Sequence, residues 1–175
     1  MISVRECTLE AIYANDERMV DAVKVHTKVS HKGWAGSYHF FKRAEEAPAF
    51  RGLVALVENK VVGTGFGYRI RAQFGNWWYE KVAEQLGADN PLLQDAWQLV
   101  TLDILEEYRD MNVATALHNA LLQSQPCSKV VLSIEADNRA GRKFYEQMGW
   151  QYAHPNLILK ANEPHHVLMY KRTRS

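Results

Sequence analysis

Two stretches of this sequence combine residue types that could do chemistry. The first is LDILEEYRDMNVATALHNALL, residues 102–122. Its apolar start predicts the end of a strand. Val113, Ala116, Leu117, Ala120 and Leu121 share one face of a helix expected over 112–124. A strand that turns sharply into a helix leaves the first helical N–H groups unpaired, and the helix dipole adds partial positive charge there. Such a junction suits an anion, above all a phosphate. Arg109 sets a full positive charge just ahead of it. Asn112 tolerates the left-handed backbone that a tight loop needs better than most non-glycine residues. Ala114 is small enough to let a ligand approach the main chain. Many junctions of this kind bind nothing, so these residues alone fit phosphate binding or a plain connection.

The second stretch is IEADNRAGRKFYEQMGW, residues 134–150. Asp137 or Asn138 can cap a helix over 138–148, and Gly149 can stop it. Ala140, Phe144 and Met148 form one apolar face, with Tyr145 beside it. A tyrosine in that place is either a packed aromatic or a proton donor, since a phenol of pKa ~10 stays protonated at neutral pH.

Other reactive residues give less. Asp103 falls inside the strand expected over Trp97–Leu105. A carboxylate in a central strand is costly to bury unless it is paired or functional, so Asp103 is a candidate for a catalytic or a hydrogen-bonding role. The seven histidines show no metal-ligand spacing, and His165 and His166 are adjacent, so a strand would point them to opposite faces. No metal is expected. Cys7 and Cys127 form no CxxC pair, which argues against a zinc knuckle or a disulfide framework and fits a reducing compartment.

The elements that must position these residues follow from patterning. Ile2–Glu6 alternates like a short strand. Asn15 or Asp16 caps a helix to about Ser30, with Met19, Val20, Val23 and Thr27 on one face. Residues 31–49 read as irregular or weakly helical and rich in aromatics. Leu53–Val57 and Val61–Ile70 flank a tight turn. Residues 71–96 interrupt the pattern with a short helix capped by Asn76, carrying Trp78, Val82 and Leu86, and stopped by Gly87. Val130–Ile134 is a β-branched strand, and Trp150–Ala153 with His166–Tyr170 can close the sheet. The order β-α-(α)-β-β-insert-β-α-β-α-β-β predicts an α/β or α+β fold with a mixed sheet.

Composition bounds the rest. A chain of 175 residues, 47% apolar and 23% charged, is ordinary globular material and long enough to need no metal or disulfide staple. The formal charge is +1, without the basic excess of a dedicated nucleic-acid binder. The charge is uneven: residues 1–125 hold 13 basic and 16 acidic side chains, whereas 126–175 hold 8 and 4. That C-terminal excess could face an anion or reflect only the tail Lys171–Arg174. The first residues carry no secretory apolar core, and no apolar run nears the ~18 residues of a membrane span. A cytoplasmic protein is expected.

Together the two segments resemble the GNAT superfamily of acyl-CoA-dependent N-acyltransferases. The first resembles the family's pyrophosphate motif, Arg or Gln followed by x-x-Gly-x-Gly/Ala. It reads Arg109-Asp110-Met111-Asn112-Val113-Ala114 here. The second resembles the family's Asn-x-x-Ala-x-x-Phe-Tyr-x-x-x-Gly-aromatic motif, from Asn138 through Gly141, Phe144, Tyr145 and Gly149 to Trp150. The element order extends the likeness from Ile2 to Tyr170. Asn112 replaces the first motif glycine, and its side chain can crowd a pyrophosphate. Gly141 replaces alanine, which costs up to ~1 kcal/mol of helix propensity and nothing functional.

The resemblance implies a mixed, mostly antiparallel sheet flanked by helices, in a single domain over 1–175 with a helical insertion at about 71–96. It implies direct transfer of an acetyl group from acetyl-CoA to a primary amine. The stretch Arg109, Asp110, Met111, Asn112, Val113, Ala114 and Thr115 would bind the CoA pyrophosphate. Backbone around Ile104 would hydrogen-bond the pantetheine arm like an added strand. Asn138 would hold the arm, and Tyr145 would contact the cosubstrate and protonate the leaving thiolate. Family members often carry a carboxylate or histidine early on the central strand. Gln98 stands there and cannot act as a base, which leaves Asp103 as the nearest acid.

On the acceptor side the insertion carries Phe74, Trp77, Trp78 and Tyr79, and Trp34, Tyr38, Phe40 and Phe41 precede it. These either wall an apolar or cationic small molecule or pack helices on the sheet. The expected partner is a small-molecule amine, with no nucleic acid and no membrane, and a homodimer is left open. A weak acyl-CoA-binding sensor and a protein or peptide N-acetyltransferase are the alternatives.

Overall fold

A computed structural model describes residues 6–13, 15–71, 76–109 and 112–173. In chain order the elements are β1 (Thr8–Ala11), α1 (Asp16–Ser30), α2 (Trp34–Ala44), β2 (Arg51–Val57), β3 (Lys60–Arg69), α3 (Trp77–Leu86), β4 (Ala96–Ile104), α4 (Val113–Ser124), β5 (Lys129–Glu135), α5 (Arg139–Gln147), β6 (Gln151–Leu157) and β7 (His166–Arg172). Short 3₁₀ turns occupy Pro91–Leu93 and Glu106–Tyr108. The sheet order is β1-β2-β3-β4-β5-β7-β6. β1–β2, β2–β3, β5–β7 and β6–β7 pair antiparallel, and β4–β5 pairs parallel. The fold is therefore mixed and mostly antiparallel, as the resemblance implies. By contacts the chain forms two compact units: residues up to Tyr68 with Leu99–Gln125, and Arg69–Gln98 with Pro126 onward.

In the first unit, α1 starts where Asn15 accepts a hydrogen bond from the Arg18 amide at 2.8 Å, an N-cap that satisfies one orphan donor. Its buried face is Met19, Ala22, Val23 and His26. The expected face of Met19, Val20, Val23 and Thr27 is rotated from this, because Val20 and Thr27 are only half-buried. The strand expected at Ile2–Glu6 lies outside the described residues but for Glu6, which is not in a strand; β1 begins at Thr8.

Residues 31–49 hold a regular three-turn helix rather than an irregular run. Ser37, Phe41 and Ala44, at i, i+4 and i+7, form the buried face of α2. Gly33 at its N-cap makes no side-chain capping bond, which is why the start gives little sequence signal. The β2–β3 turn is two residues long, and both Glu58 and Asn59 have positive φ, at 52° and 66°. That is the twist a tight hairpin prefers.

Two glycines of β3 seat α4. A Cβ on Gly63 would lie 2.8 Å from Ile104, 3.1 Å from Leu117 and 3.1 Å from Val113. One on Gly65 would lie 2.9 Å from Leu102, 3.0 Å from Leu121 and 3.2 Å from the Thr101 carbonyl. Leu102 and Ile104 thus face α4, while Thr101 and Asp103 turn to the other face of β4, toward α1.

In the second unit α3 begins at Asn76, which accepts from the Tyr79 amide at 3.2 Å, and ends at Gly87 with φ 94°. Trp78 and Val82 enter a core with Ala96, Val131, Leu157 and Leu168, and Leu86 packs at its edge. Trp78 also donates its indole N–H to Ser133 at 2.8 Å. α5 ends at Gly149, with φ 90°.

Candidate active site

The predicted site residues fall on the two units. Ile104, Arg109, Asn112, Val113, Ala114 and Thr115 lie on one short stretch of the first unit, at the end of β4 and the start of α4. Asp110 and Met111 lie outside the described residues. Asn138 and Tyr145 belong to α5 in the second unit.

The α4 start is open. Asn112 is exposed and takes the left-handed conformation, φ 59° and ψ 18°, and it makes no side-chain capping bond. The Ala116 amide donates to the Asn112 carbonyl at 3.1 Å, so the amides of Val113, Ala114 and Thr115 precede that first helical bond. Val113 is fully buried among the residues around Gly63, which fixes this turn against the sheet. The Leu105 amide donates to the Val62 carbonyl at 2.9 Å and holds the strand end. Arg109 is exposed, and its guanidinium has no ion pair among the described residues. Open amides, a helix dipole and an uncommitted guanidinium fit a pyrophosphate.

The α5 start is closed. Asn138 accepts from the Gly141 amide at 3.0 Å. Its carboxamide oxygen is the helix's own cap, and its NH₂ is the group left for a ligand. Gly141 is also more than a neutral replacement of alanine. A Cβ there would meet Ile134 at 2.5 Å and the Asn138 side chain at 2.9 and 3.0 Å. Tyr145 is the buried residue of α5, whereas Ala140 is exposed and Phe144 half-buried. The expected apolar face is thus turned toward Tyr145. Its ring packs edge-on against Phe144 and Trp150, with centroids 5.1 and 5.4 Å apart.

Asp103 is 7% exposed. Its Oδ2 lies 2.7 Å from His26 Nδ1 and accepts from the Thr101 hydroxyl at 2.6 Å. The carboxylate is therefore paired, as burial demands. Gln98 is also buried, and its carbonyl accepts from Asn76 at 3.5 Å, so it braces the cap of α3. Asn76 and His26 are functional or supporting residues that sequence reasoning did not connect with Gln98 and Asp103. They stand 22 and 77 residues away, with no local signal.

The aromatics divide. Phe41 and Trp78 are core residues, while Trp34, Phe40 and Trp77 expose 44%, 37% and 44% of their surfaces. Phe74 lies outside the described residues. A cavity of about 440 Å³ beside α1 is lined by Arg18, Asp21, Lys24, Lys28, Lys60 and Leu105 among others, and none of the predicted site residues line it. Arg18 is engaged by Glu10 and Asp21, and Lys28 by Glu107. Among the described residues no cluster of three His, Cys, Asp or Glu could hold a metal, and no helix is long and apolar enough to cross a membrane.

Solved structures share this architecture. The ribosomal-protein-S18-alanine N-acetyltransferase from Escherichia coli is 12% identical, with 97% of this chain and 96% of that chain covered at a TM-score of 0.69. The aminoglycoside 6'-acetyltransferase type Ii is 15% identical, with coverages of 96% and 98% and a TM-score of 0.68. Ard1 from Thermoplasma volcanium is 17% identical, with coverages of 95% and 97% and a TM-score of 0.66. At such identities the likeness establishes the fold. No curated protein matches the chain. A model of the Acetyltransferase (GNAT) family matches residues 17–150, and the chain belongs to that family.

Proposed function

We propose that this acyltransferase moves an acetyl group from acetyl-CoA to a primary amine of a small molecule, in the cytoplasm, by direct transfer. The observation that carries the reading is the uncapped start of α4, with Asn112 left-handed and Arg109 beside it, in a chain of this family. The amides of Val113, Ala114 and Thr115 and the Arg109 guanidinium bind the pyrophosphate, together with Asp110 and Met111, which stand between them in the sequence. Backbone at Ile104 hydrogen-bonds the pantetheine arm, and the Asn138 NH₂ supports it. Acetyl-CoA supplies an activated carbonyl whose leaving group is a thiolate. Tyr145 gives its hydroxyl proton to that sulfur, since a phenol of pKa ~10 is still protonated at neutral pH and so available as a donor.

The acceptor class rests on exposed aromatic rings, Trp34 and Phe40 in the first unit and, separately, Trp77 in the second, since such rings suit an apolar or cationic amine. Among the structural neighbours one is a ribosomal-protein-S18-alanine N-acetyltransferase and another an aminoglycoside 6'-acetyltransferase, so both acceptor classes belong in the test.

Incubation with acetyl-CoA and a panel of small amines and peptides with free N-termini, read as free thiol, tests the activity. Turnover with a small amine and little with peptides is the expected result. Tyr145→Phe should lower kcat about 10²-fold and leave CoA affinity within about twofold. CoA binding without turnover would replace the enzyme by a sensor, and absence of CoA binding would overturn the reading.

A further inference from the structure

The first unit holds a histidine–carboxylate pair that neither motif announces. His26 sits on the buried face of α1 and Asp103 on β4, one residue before Ile104. His26 Nδ1 lies 2.7 Å from Asp103 Oδ2, and the Thr101 hydroxyl donates to the same oxygen at 2.6 Å. The carboxylate can only accept, so Nδ1 carries the proton and donates it to Asp103. Nε2 is then left with its lone pair outward. It has no hydrogen-bond partner among the described residues, and it is not among their enclosed, unpartnered atoms. The imidazole keeps 8% of its side-chain surface accessible. Its neighbours from α2 are the rings of Phe40, at 5.6 Å, and Phe41, at 5.3 Å, and Phe40 is itself exposed. The groups facing it from β4 are Asp103 and Thr101, and no other charged side chain is bonded to it among the described residues.

The pair closes a single nitrogen and leaves the other unbonded in a largely buried imidazole, beside the exposed ring of Phe40. Resting on the acetyl transfer proposed above, we infer that His26 Nε2 is the proton acceptor for the incoming amine and that Asp103 is its positioning residue. The nitrogen begins as an ammonium and loses one proton before it attacks. The N–C bond forms and the C–S bond breaks. The nitrogen loses a second proton on the way to the amide. One proton is matched by the proton that the leaving sulfur takes up, and the other leaves through His26 to solvent. Asp103, in contact with Nδ1, holds the imidazole in this orientation.

The test uses the full chain, acetyl-CoA and the fastest amine of the panel. His26→Gln should lower kcat about 10²-fold near neutral pH, with CoA affinity within about twofold of wild type. The deficit should shrink as pH rises, because more of the amine is already neutral. Added imidazole should restore part of the rate in His26→Ala. Asp103→Asn should lose about tenfold in kcat, and nitrogen-15 spectra of the cosubstrate-free protein should show the Nδ1–H tautomer in wild type and its loss in this variant. Melting temperatures separate misfolding from lost chemistry.

Wild-type turnover with His26→Gln within about threefold at every pH would overturn the role of His26 alone. An equal fall in CoA affinity and kcat would make it a packing residue and overturn the role too. A wild-type chain that binds CoA but turns over no amine, or binds none, would remove the reaction and this role with it.

Discussion

The starts of α4 and α5 invite comparison. Each follows a strand of the sheet, and each has an asparagine at its N-cap. Asn138 turns its side chain onto its own helix and satisfies the Gly141 amide. Asn112 takes the left-handed conformation instead and caps nothing. The same residue type therefore closes one helix and leaves the other open. An asparagine before a helix does not reveal which outcome the fold selects; the backbone angle does. At φ 59° the Asn112 side chain cannot take the usual capping geometry, which needs an extended backbone. The contrast supports the anion binding proposed for the start of α4.

The largest predicted effect tests how α4 is held. Gly65→Ala puts a methyl group 2.9 Å from Leu102 and 3.2 Å from a backbone carbonyl that cannot swing aside. Overpacking of this kind costs about 1–3 kcal/mol. A lower midpoint in urea unfolding, with weaker CoA binding from a displaced α4 start, is the expected pair of results. Wild-type stability would show that α4 does not depend on the glycine.

Charge at the two helix starts sharpens the comparison. Asn112→Asp sets a carboxylate where the pyrophosphate is proposed to bind. It should raise the KM for acetyl-CoA about tenfold, which is ~1.4 kcal/mol, with a smaller change in kcat. Asn138→Asp keeps the cap but loses the NH₂ proposed to support the pantetheine arm, so it should raise that KM less, about threefold. Equal effects from the two substitutions would erase the distinction drawn between the helices.

Stability gives the complementary contrast. Asn138→Ala removes a capping oxygen and should cost about 1 kcal/mol in denaturant unfolding. Asn112→Gly removes no cap and relieves a left-handed side chain, so it should be neutral or stabilising by up to about 1 kcal/mol. Opposite signs at the two asparagines are the expected outcome.

Local chemistry made much of this legible. Asn15, Asn76 and Asn138 announced three helix starts, Gly87 and Gly149 announced two ends, and the β2–β3 turn stood out between two apolar runs. What stayed hidden depends on distance in sequence or on steric room. The 77-residue separation of His26 and Asp103 leaves no pattern in either segment. The roles of Gly63, Gly65 and Gly141 lie in what a Cβ would strike, which propensity scales cannot express. α2 lacked a side-chain cap, and its aromatic residues suit strand, loop or helix, so only packing against the core decides its form.

The two units also differ in how an imidazole Nδ1 is treated, and pH can expose this. His26 has Asp103 against Nδ1, whereas His166 Nδ1 is buried without a hydrogen-bond partner. Burial pushes the His166 pKa below 6.5, and the nearby Glu135 and Glu163 carboxylates only partly offset it. The unfolded chain then binds more protons than the folded one in the window just below 6.5. Stability supplied by neutral His166 is complete above the unfolded value and is lost as pH falls through that window toward the lowered folded pKa. The melting temperature should drop on acidification from pH 7 to pH 5. His166→Gln cannot titrate, so its drop should be shallower than that of wild type. Parallel slopes for the two proteins would mean that His166 shares its protonation equally between folded and unfolded states, and that the difference between the units does not reach their energetics.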